Sequence, residues 1–381
     1  MILNPKIVIA PDSFKGTMSA QDVCAIWQRV FKEHFPEAEL TLVPMSDGGD
    51  GALEAILHAT DAEVGGIVAE DPLGRPVKAF FALLNGHRTA FVETAAACGI
   101  VFLKRDERNP MVASSYGAGQ LIAEALKFGV EEVIASIGGS ATVDGGVGML
   151  QALGFRFMDA NGMEIGRGGG ELHRIESIDA SHSNPAIART RFRIASDVTN
   201  PLLGADGAAT VFGPQKGATP EMVSELEAGL AHFADVCVKS GFASDCCHKG
   251  DGAAGGMGFA LRTFLHAEMC PGAAMISELV GLEDIVKKAD IVITGEGRTD
   301  KQTLFGKLPA FVADLAAKYS VPTILCSGAV EDKSALQNRF HAVFDTVPAV
   351  VPLDDALKKA KENLSDTATS IVKLLKFRLG D

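Results

Sequence analysis

Short apolar runs that end in polar, glycine-rich loops recur near both ends of this chain. Residues 6–10 and 40–43 form such runs near the start, and residues 291–294, 323–326 and 343–345 repeat the pattern near the end. Brief runs of β-branched and aliphatic residues bounded by turn residues are typical of strands buried within a sheet. Helical apolar patterns follow these runs, so both terminal segments predict a parallel α/β arrangement.

Helix signals accompany these runs. Ser19 with Asp22 three residues later predicts a helix start, because the serine oxygen can accept a hydrogen bond in the first turn. A helix over residues 309–319 is predicted to carry Pro309 in its first turn, where a proline lacks only a donor that the helix does not use. The last predicted helix is a single one with an apolar stripe made of Leu357, Ala360, Leu364, Ala368, Ile371 and Leu375.

The pattern changes after about residue 65. Residues 67–68, 77–84 and 89–92 have the character of antiparallel strands, and Asn85-Gly86 between the last two favours a type I′ hairpin. Helices and strands then mix until about residue 285.

We therefore predict an α/β protein with two domains. Residues 1–65 and 285–381 are expected to form a discontinuous flavodoxin-like domain with a parallel five-stranded sheet. Residues 66–284 are expected to form an inserted mixed α/β domain. The strand order 2-1-3-4-5 places the first strand beside the strand at 291–294, so the loops that follow them should meet at the topological switch point.

Composition and charge narrow the choice of partners and location. A length of 381 residues fits about two domains, and 47% hydrophobic residues suffice for buried cores. The net charge of -13 disfavours nucleic acid and anionic membranes as partners. No basic leader is visible, nor an apolar run of the roughly 18 residues that a membrane-spanning helix requires, so we expect a cytoplasmic protein. We also expect it to be a monomer or a homodimer. The seven cysteines lack ligand spacing and are expected to be reduced.

A glycine-rich loop over residues 138–146 follows a predicted strand. Gly138 and Gly139 let backbone N–H groups approach a ligand, and Ser140 and Thr142 add hydroxyls, which together predict a phosphate cradle near a helix start. Asp144 does not suit a bare anion site, so we expect a metal ion or an ammonium group beside it. The alternative is a structural glycine turn.

Charged residues also follow several other predicted strands. Carboxylates in such numbers suit Mg²⁺, and the cations suit phosphate or a substrate carboxylate. Each loop by itself could be a solvated turn, and Arg298 could instead form a salt bridge with Glu296 or Asp300. The residues concerned are Asp12, Lys15, Asp47, Asp50, Asp197, Asn200, Glu296, Arg298, Asp300 and Lys307. The P-loop, protein-kinase and GxSxG motifs do not occur.

With these loops in view, the chain resembles the type I glycerate kinases across nearly its whole length. The matching segments are APDSFKG at 10–16, PMSDGGDG at 44–51, IGGSATVDGG at 137–146, DVTNPLLG at 197–204, VFGPQKGAT at 211–219 and ITGEGRTD at 293–300. Asp50, Thr199 and Thr299 depart from commoner variants, and none of these changes removes a charge.

The resemblance implies ATP-dependent phosphorylation of D-glycerate to a phosphoglycerate, with 2-phosphoglycerate favoured over 3-phosphoglycerate. It also implies that the inserted domain is of the swivelling type and that the site lies in the cleft between the domains. The alternatives are a nucleotide-dependent oxidoreductase and a non-catalytic two-domain binding protein for small molecules.

We assign roles to the loop residues from their chemistry. Asp300 is the first candidate for the general base, with Asp47 and Glu296 as the others, and Lys15 is a catalytic cation. Substrate binding is assigned to Arg298, Lys15 and Ser13. The nucleotide phosphates are assigned to Gly138, Gly139, Ser140, Thr142 and Lys307, and Mg²⁺ to Asp197, Asn200 and Asp144.

Overall fold

The structure is a computed structural model that describes residues 4–49, 51–300, 303, 307–349 and 351–379. Asp50, one of the loop carboxylates, lies outside the described residues. The chain forms two compact units: unit 1 comprises residues 1–47, 54–60 and 273–381, and unit 2 comprises residues 48–53 and 61–272. The domain limits proposed from the sequence, at 65/66 and 284/285, remain a prediction about independently folding parts.

The strands are numbered in chain order: β1 Lys6–Ile9, β2 Glu39–Leu42, β3 Glu63–Glu70, β4 Pro76–Leu84, β5 Thr89–Glu93, β6 Glu132–Ser136, β7 Arg156–Met158, β8 Ser177–Asp179, β9 Arg191–Ala195, β10 Glu268–Cys270, β11 Ile291–Thr294, β12 Arg298–Thr299, β13 Thr323–Ser327, β14 Ala329–Val330 and β15 Ala342–Asp345.

The α-helices are α1 Ala20–His34, α2 Ala52–Ala59, α3 Ala95–Cys98, α4 Tyr116–Lys127, α5 Val147–Ala152, α6 Ala208–Phe212, α7 Pro220–Lys239, α8 Ala253–Leu265, α9 Gly272–Val280, α10 Leu282–Val286, α11 Leu308–Lys318, α12 Lys333–Leu336, α13 Leu353–Lys358 and α14 Ala360–Leu379.

Unit 1 is built on a parallel five-stranded sheet of order β15-β13-β11-β1-β2. Numbered along the unit this is the order 2-1-3-4-5, so the predicted flavodoxin-like fold is confirmed. Ile7 pairs with Ile291 and Ile9 with Ile293, which places the first strand beside the predicted neighbour.

Two helices cover one face of this sheet. Trp27 and Phe31 of α1 share a buried cluster with Leu364 and Ile371 of α14, together with the isoleucines of β1 and β11. The predicted cap of α1 is present, because Ser19 Oγ accepts a hydrogen bond from Asp22 N at 3.1 Å. Burial of such aromatic and aliphatic side chains contributes about 1.5–3 kcal/mol each.

The single final helix predicted from the apolar stripe is wrong. The structure has two helices, α13 and α14, separated at Lys359. Leu357 is 40% exposed and does not belong to the buried stripe, whereas Leu364 and Ala368 are fully buried. No glycine or proline marks this break, so the spacing of the apolar residues predicts one continuous helix across it.

Unit 2 contains a six-stranded mixed sheet of order β10-β9-β6-β5-β4-β3. The β3–β4 and β4–β5 pairs are antiparallel, as expected, and the remaining pairs are parallel. Asn85 and Gly86 have φ of 55° and 64°, the left-handed values that a type I′ turn needs. Leu84 pairs with Thr89, however, so the connection is the longer segment 85–88.

Gly295 is a position where close backbone packing requires glycine. It follows β11, and a Cβ atom there would lie 1.8 Å from the backbone oxygen of Cys326. Neither the backbone at Gly295 nor that at Cys326 can move apart without disturbing the β11–β13 pairing. We therefore expect Gly295→Ala to destabilise unit 1 by roughly 2–4 kcal/mol. Thermal and urea unfolding would measure this.

Gly281→Ala is the matched control in unit 1. Gly281 has φ of 66°, and a Cβ atom added there would have no other atom within 4 Å. Only the left-handed backbone penalty of about 1–2 kcal/mol therefore applies. Equal losses of stability in the two variants would contradict the steric argument.

Candidate active site

A cavity of about 490 Å³ lies in unit 1 at the carboxyl ends of β1, β2 and β11. The loops are joined through the backbone, because Asp12 N donates to Gly295 O at 2.8 Å and Met45 N donates to Pro11 O at 2.9 Å. This is the topological switch point, where ligands bind in such sheets. Its charged lining consists of Asp12, Lys15, Asp47, Glu296, Arg298, Asp300 and Lys307.

The cavity therefore brings together the residues to which the sequence assigns catalysis and substrate binding. Ser13 lies in its wall as well, and α13 adds an apolar side with Leu353 and Leu357. Lys307, predicted to bind the nucleotide phosphates together with the glycine-rich loop, lines this cavity of unit 1. A polar wall facing an apolar one suits a small polar ligand.

Asp12 is the most deeply buried carboxylate of this group, at 4% exposure. Burial, followed by the neighbouring Asp47 carboxylate, raises the pKa of Asp12 to about 7. Ser13 N donates to Asp12 Oδ1 at 2.6 Å and favours the charged form. The loop pattern alone predicts no individual role for Asp12, because its burial depends on the other two loops.

Asp47 and Glu296 have specific partners. Lys15 Nζ lies 3.4 Å from Asp47 Oδ2 in an ion pair whose lysine is largely exposed. Glu296 Oε1 accepts hydrogen bonds from Thr299 Oγ1 at 2.9 Å and Thr303 Oγ1 at 2.7 Å. Burial is the main cause that raises the pKa of Glu296, and these two hydroxyls oppose it.

The guanidinium of Arg298 pairs with Glu331, which the sequence did not indicate. The salt bridge considered from the sequence was with Glu296 or Asp300. Both Arg298 and Glu331 are more than half exposed, so the pair contributes at most about 1 kcal/mol. Arg298 can therefore exchange this partner for a ligand carboxylate at small cost.

A second cavity, of about 270 Å³, lies in unit 2 beside the glycine-rich loop. Gly138, Gly139 and Ser140 line it after β6, and Ser196 and Val198 line it after β9. Gly139 has φ of 73°, a left-handed value that favours glycine. The helix that follows, α5, spans only six residues and begins at Val147, so its N-terminus adds little positive field at Gly139.

Lys216 is the residue of this cavity that sequence reasoning missed. It is 4% exposed, and its Nζ donates to Ser140 Oγ at 2.9 Å and to Thr142 O at 2.7 Å. Burial lowers the pKa of Lys216 to about 8. The segment 211–219 was among the matching motifs, but nothing in its pattern indicated that this lysine is buried.

The surroundings of Thr142 and Asp144 differ from those expected of a phosphate-binding hydroxyl and a metal-binding carboxylate. The Thr142 side chain is fully buried and does not line the cavity. Asp144 is also fully buried, and its Oδ2 accepts hydrogen bonds from Ser115 N and Ser115 Oγ at 2.8 Å each, while Oδ1 accepts one from Gly146 N at 3.1 Å. These contacts hold the loop and argue against Asp144 as a metal ligand.

Asp197 and Asn200 lie on the loop after β9. Asp197 Oδ1 accepts a hydrogen bond from Gly272 N at 2.9 Å, and Asn200 Nδ2 donates to Asp206 O at 2.8 Å. Within the described part of the chain, no group of three or more His, Cys, Asp or Glu side chains could hold a metal ion. A Mg²⁺ ion that arrives with phosphate oxygens needs only one or two carboxylates, so Asp197 remains compatible with it.

Comparison with known proteins identifies the family. The family model described as the glycerate kinase family matches residues 7–376. This chain belongs to the glycerate kinase family. It is 44% identical over 374 residues to the glycerate kinase of Bacillus subtilis, covering 98% of each chain. It is 42% identical over 372 residues to the glycerate 2-kinase of Escherichia coli, covering 97% of this chain and 98% of the relative.

A solved structure agrees with this assignment. The crystal structure of a protein from Salmonella typhimurium LT2 that carries the provisional name glycerate kinase 2 matches with a TM-score of 0.85. The two chains are 42% identical, and the match covers 99% of this chain and 100% of the other. The family resemblance noted from the loop motifs is therefore confirmed, and nothing supports the oxidoreductase or binding-protein alternatives. None of the helices in the described residues is long and apolar enough to cross a membrane.

Proposed function

We propose that this glycerate kinase family member transfers the γ-phosphoryl group of ATP to a hydroxyl of D-glycerate, with the 2-hydroxyl favoured. The names of its relatives support the reaction and, through the glycerate 2-kinase, the 2-position. The observation that carries the proposal is the cavity of unit 1. Among the described residues, three cations and four carboxylates line this one cavity at the switch point. Phosphoryl transfer depends mainly on positioning and charge neutralisation, for which such a set is suited.

Glycerate is assigned to this cavity. Its carboxylate requires a cation, and the planar guanidinium of Arg298 offers two parallel donors. Lys15 and Lys307 supply further positive charge, and Ser13 supplies a hydroxyl for the polar groups of the substrate. The cavity of about 490 Å³ is spacious for a three-carbon acid, which leaves room for a transferred phosphoryl group.

The ATP phosphates are assigned to the cavity of unit 2. Gly138 and Gly139 leave the backbone accessible there, and Ser140 with Lys216 provides donors for anionic oxygens. Asp197, with Asn200 on the same loop, would hold Mg²⁺ together with the phosphates. When bound, the ion would neutralise phosphate charge, and the protein residues would orient it.

The reaction is tested by incubating the pure protein with Mg-ATP and D-glycerate. ADP formation that depends on glycerate is expected, and ³¹P NMR of the product distinguishes 2-phosphoglycerate from 3-phosphoglycerate. Absence of ADP above background would contradict the proposal. A spectral change of NADH or flavin with glycerate would instead support an oxidoreductase.

Arg298→Lys tests the carboxylate site, because it keeps the charge and removes the two-point contact. We expect KM for glycerate to rise roughly 10- to 100-fold, as expected for a lost charge-assisted hydrogen bond, and KM for ATP to change little. Arg339→Lys is the control, since Arg339 pairs with Asp314 outside the cavity lining. Equal increases in both KM values would count against this role of Arg298.

Asp197→Asn tests the metal assignment. The Mg²⁺ concentration for half-maximal activity is expected to rise roughly 10-fold or more, because one anionic ligand is lost. Asp245→Asn, a substitution at a side chain in the same unit that is 46% exposed and paired with His248, should leave the Mg²⁺ titration unchanged. A normal titration for Asp197→Asn would remove Asp197 from the metal shell.

A further inference from the structure

The described residues that line the cavity of unit 1 include four carboxylates, each of which is a candidate acceptor for the proton of the attacking hydroxyl. The sequence placed Asp300 first for this task, with Asp47 and Glu296 behind it. We propose that Asp12 is the general base of the reaction. This inference rests on the proposed kinase function and deepens it.

The partners of the other carboxylates favour Asp12. Asp47 forms an ion pair with Lys15 at 3.4 Å, so its carboxylate already has a cationic partner. Glu296 Oε1 is held by the hydroxyls of Thr299 and Thr303, and this fixes the loop that carries Arg298.

Asp300 differs from Asp12 in burial. It is only partly buried, so water screens its charge, whereas Asp12 is 4% exposed at the base of the same loops. A base in a water-poor position retains a high proton affinity, and it does not lose the proton to solvent during transfer.

The charges around Asp12 come from three loops. Asp47 on the loop after β2 and Glu296 on the loop after β11 both disfavour its ionised form, whereas Lys15 and the backbone N–H of Ser13 on its own loop favour it. Burial and Asp47 are the two largest effects, and the resulting pKa of about 7 matches the pH at which a base is most effective.

The step balances in protons and electrons. The hydroxyl of glycerate gives its proton to the Asp12 carboxylate, and its oxygen forms a bond to the γ-phosphorus of ATP. The bond from the γ-phosphorus to the β–γ bridging oxygen breaks, and ADP leaves with that electron pair. Asp12 later releases its proton to water.

Asp12→Asn tests the proposal, because the amide keeps the size of the side chain and cannot accept the proton. We expect kcat to fall roughly 10²–10⁴-fold, while calorimetry shows that ATP and glycerate still bind. Asp314→Asn, on the outer face of α11 and 58% exposed in its ion pair, is the matched control and should retain kcat. Near-normal kcat in Asp12→Asn would overturn the proposal.

Asp47→Asn gives a second readout that does not depend on the folding of an Asp12 variant. The base must be ionised, so kcat/KM of the wild type should rise with pH up to about 7, where Asp12 loses its proton. Removing the Asp47 charge lowers the pKa of Asp12, and Lys15 can then interact with Asp12 more strongly. The acidic limb should therefore move to lower pH by roughly one unit.

The outcomes separate the two proposals. If Asp47→Asn abolishes turnover while binding persists, or if its acidic limb does not move, Asp12 is not the base, although the kinase function stands. If the wild-type protein forms no ADP with glycerate, the proposed function itself fails. A full kcat loss in Asp300→Asn with a normal Asp12→Asn would return the role to Asp300.

Discussion

The parallel pairing of β1 with β11 is the contact on which the candidate site depends. It joins Ile7 with Ile291, so the chain closes a loop of more than half its length before the cavity of unit 1 exists. The entropy cost of closure grows only logarithmically with loop length, and a buried five-stranded sheet offsets it. Beyond the paired residues, the bond from Asp12 N to Gly295 O extends the contact into the loops and fixes their spacing.

This arrangement concentrates charge that the fold must tolerate. Asp12 is buried beside Asp47 and Glu296, and such a set of acids is unfavourable when all are ionised. Lys15 relieves part of the repulsion at Asp47, and two threonines hold Glu296. The electrostatic repulsion that remains acts on Asp12 and, together with burial, raises its pKa. A structural compromise of this kind is what a base for phosphoryl transfer requires.

Much of unit 1 follows from sequence pattern alone, because strand, loop and helix repeat with the period of a parallel sheet and allow few topologies. Which charged residues share a loop edge also follows from that order. The burial of individual charged residues does not follow from the sequence pattern. Asp12 and Lys216 look like ordinary surface residues in the sequence, and loops distant in sequence cover them in the fold. The break between α13 and α14 and the pairing of Arg298 with Glu331 depend likewise on tertiary packing, and no local signal marks them.

The two cavities differ in a way that matches two kinds of ligand. In unit 1 two of the cations, Arg298 and Lys15, are largely exposed, and such side chains can adjust to a small hydroxy acid. In unit 2 the glycine-rich loop is held rigidly from within, by Lys216 on Ser140 and Thr142 and by Asp144 on Ser115 and Gly146. A preorganised backbone loop suits the invariant phosphate groups of a nucleotide. The buried aspartate thus holds the shape of the loop, while Lys216 both supports the loop and, with Ser140, lines the cavity assigned to the phosphates.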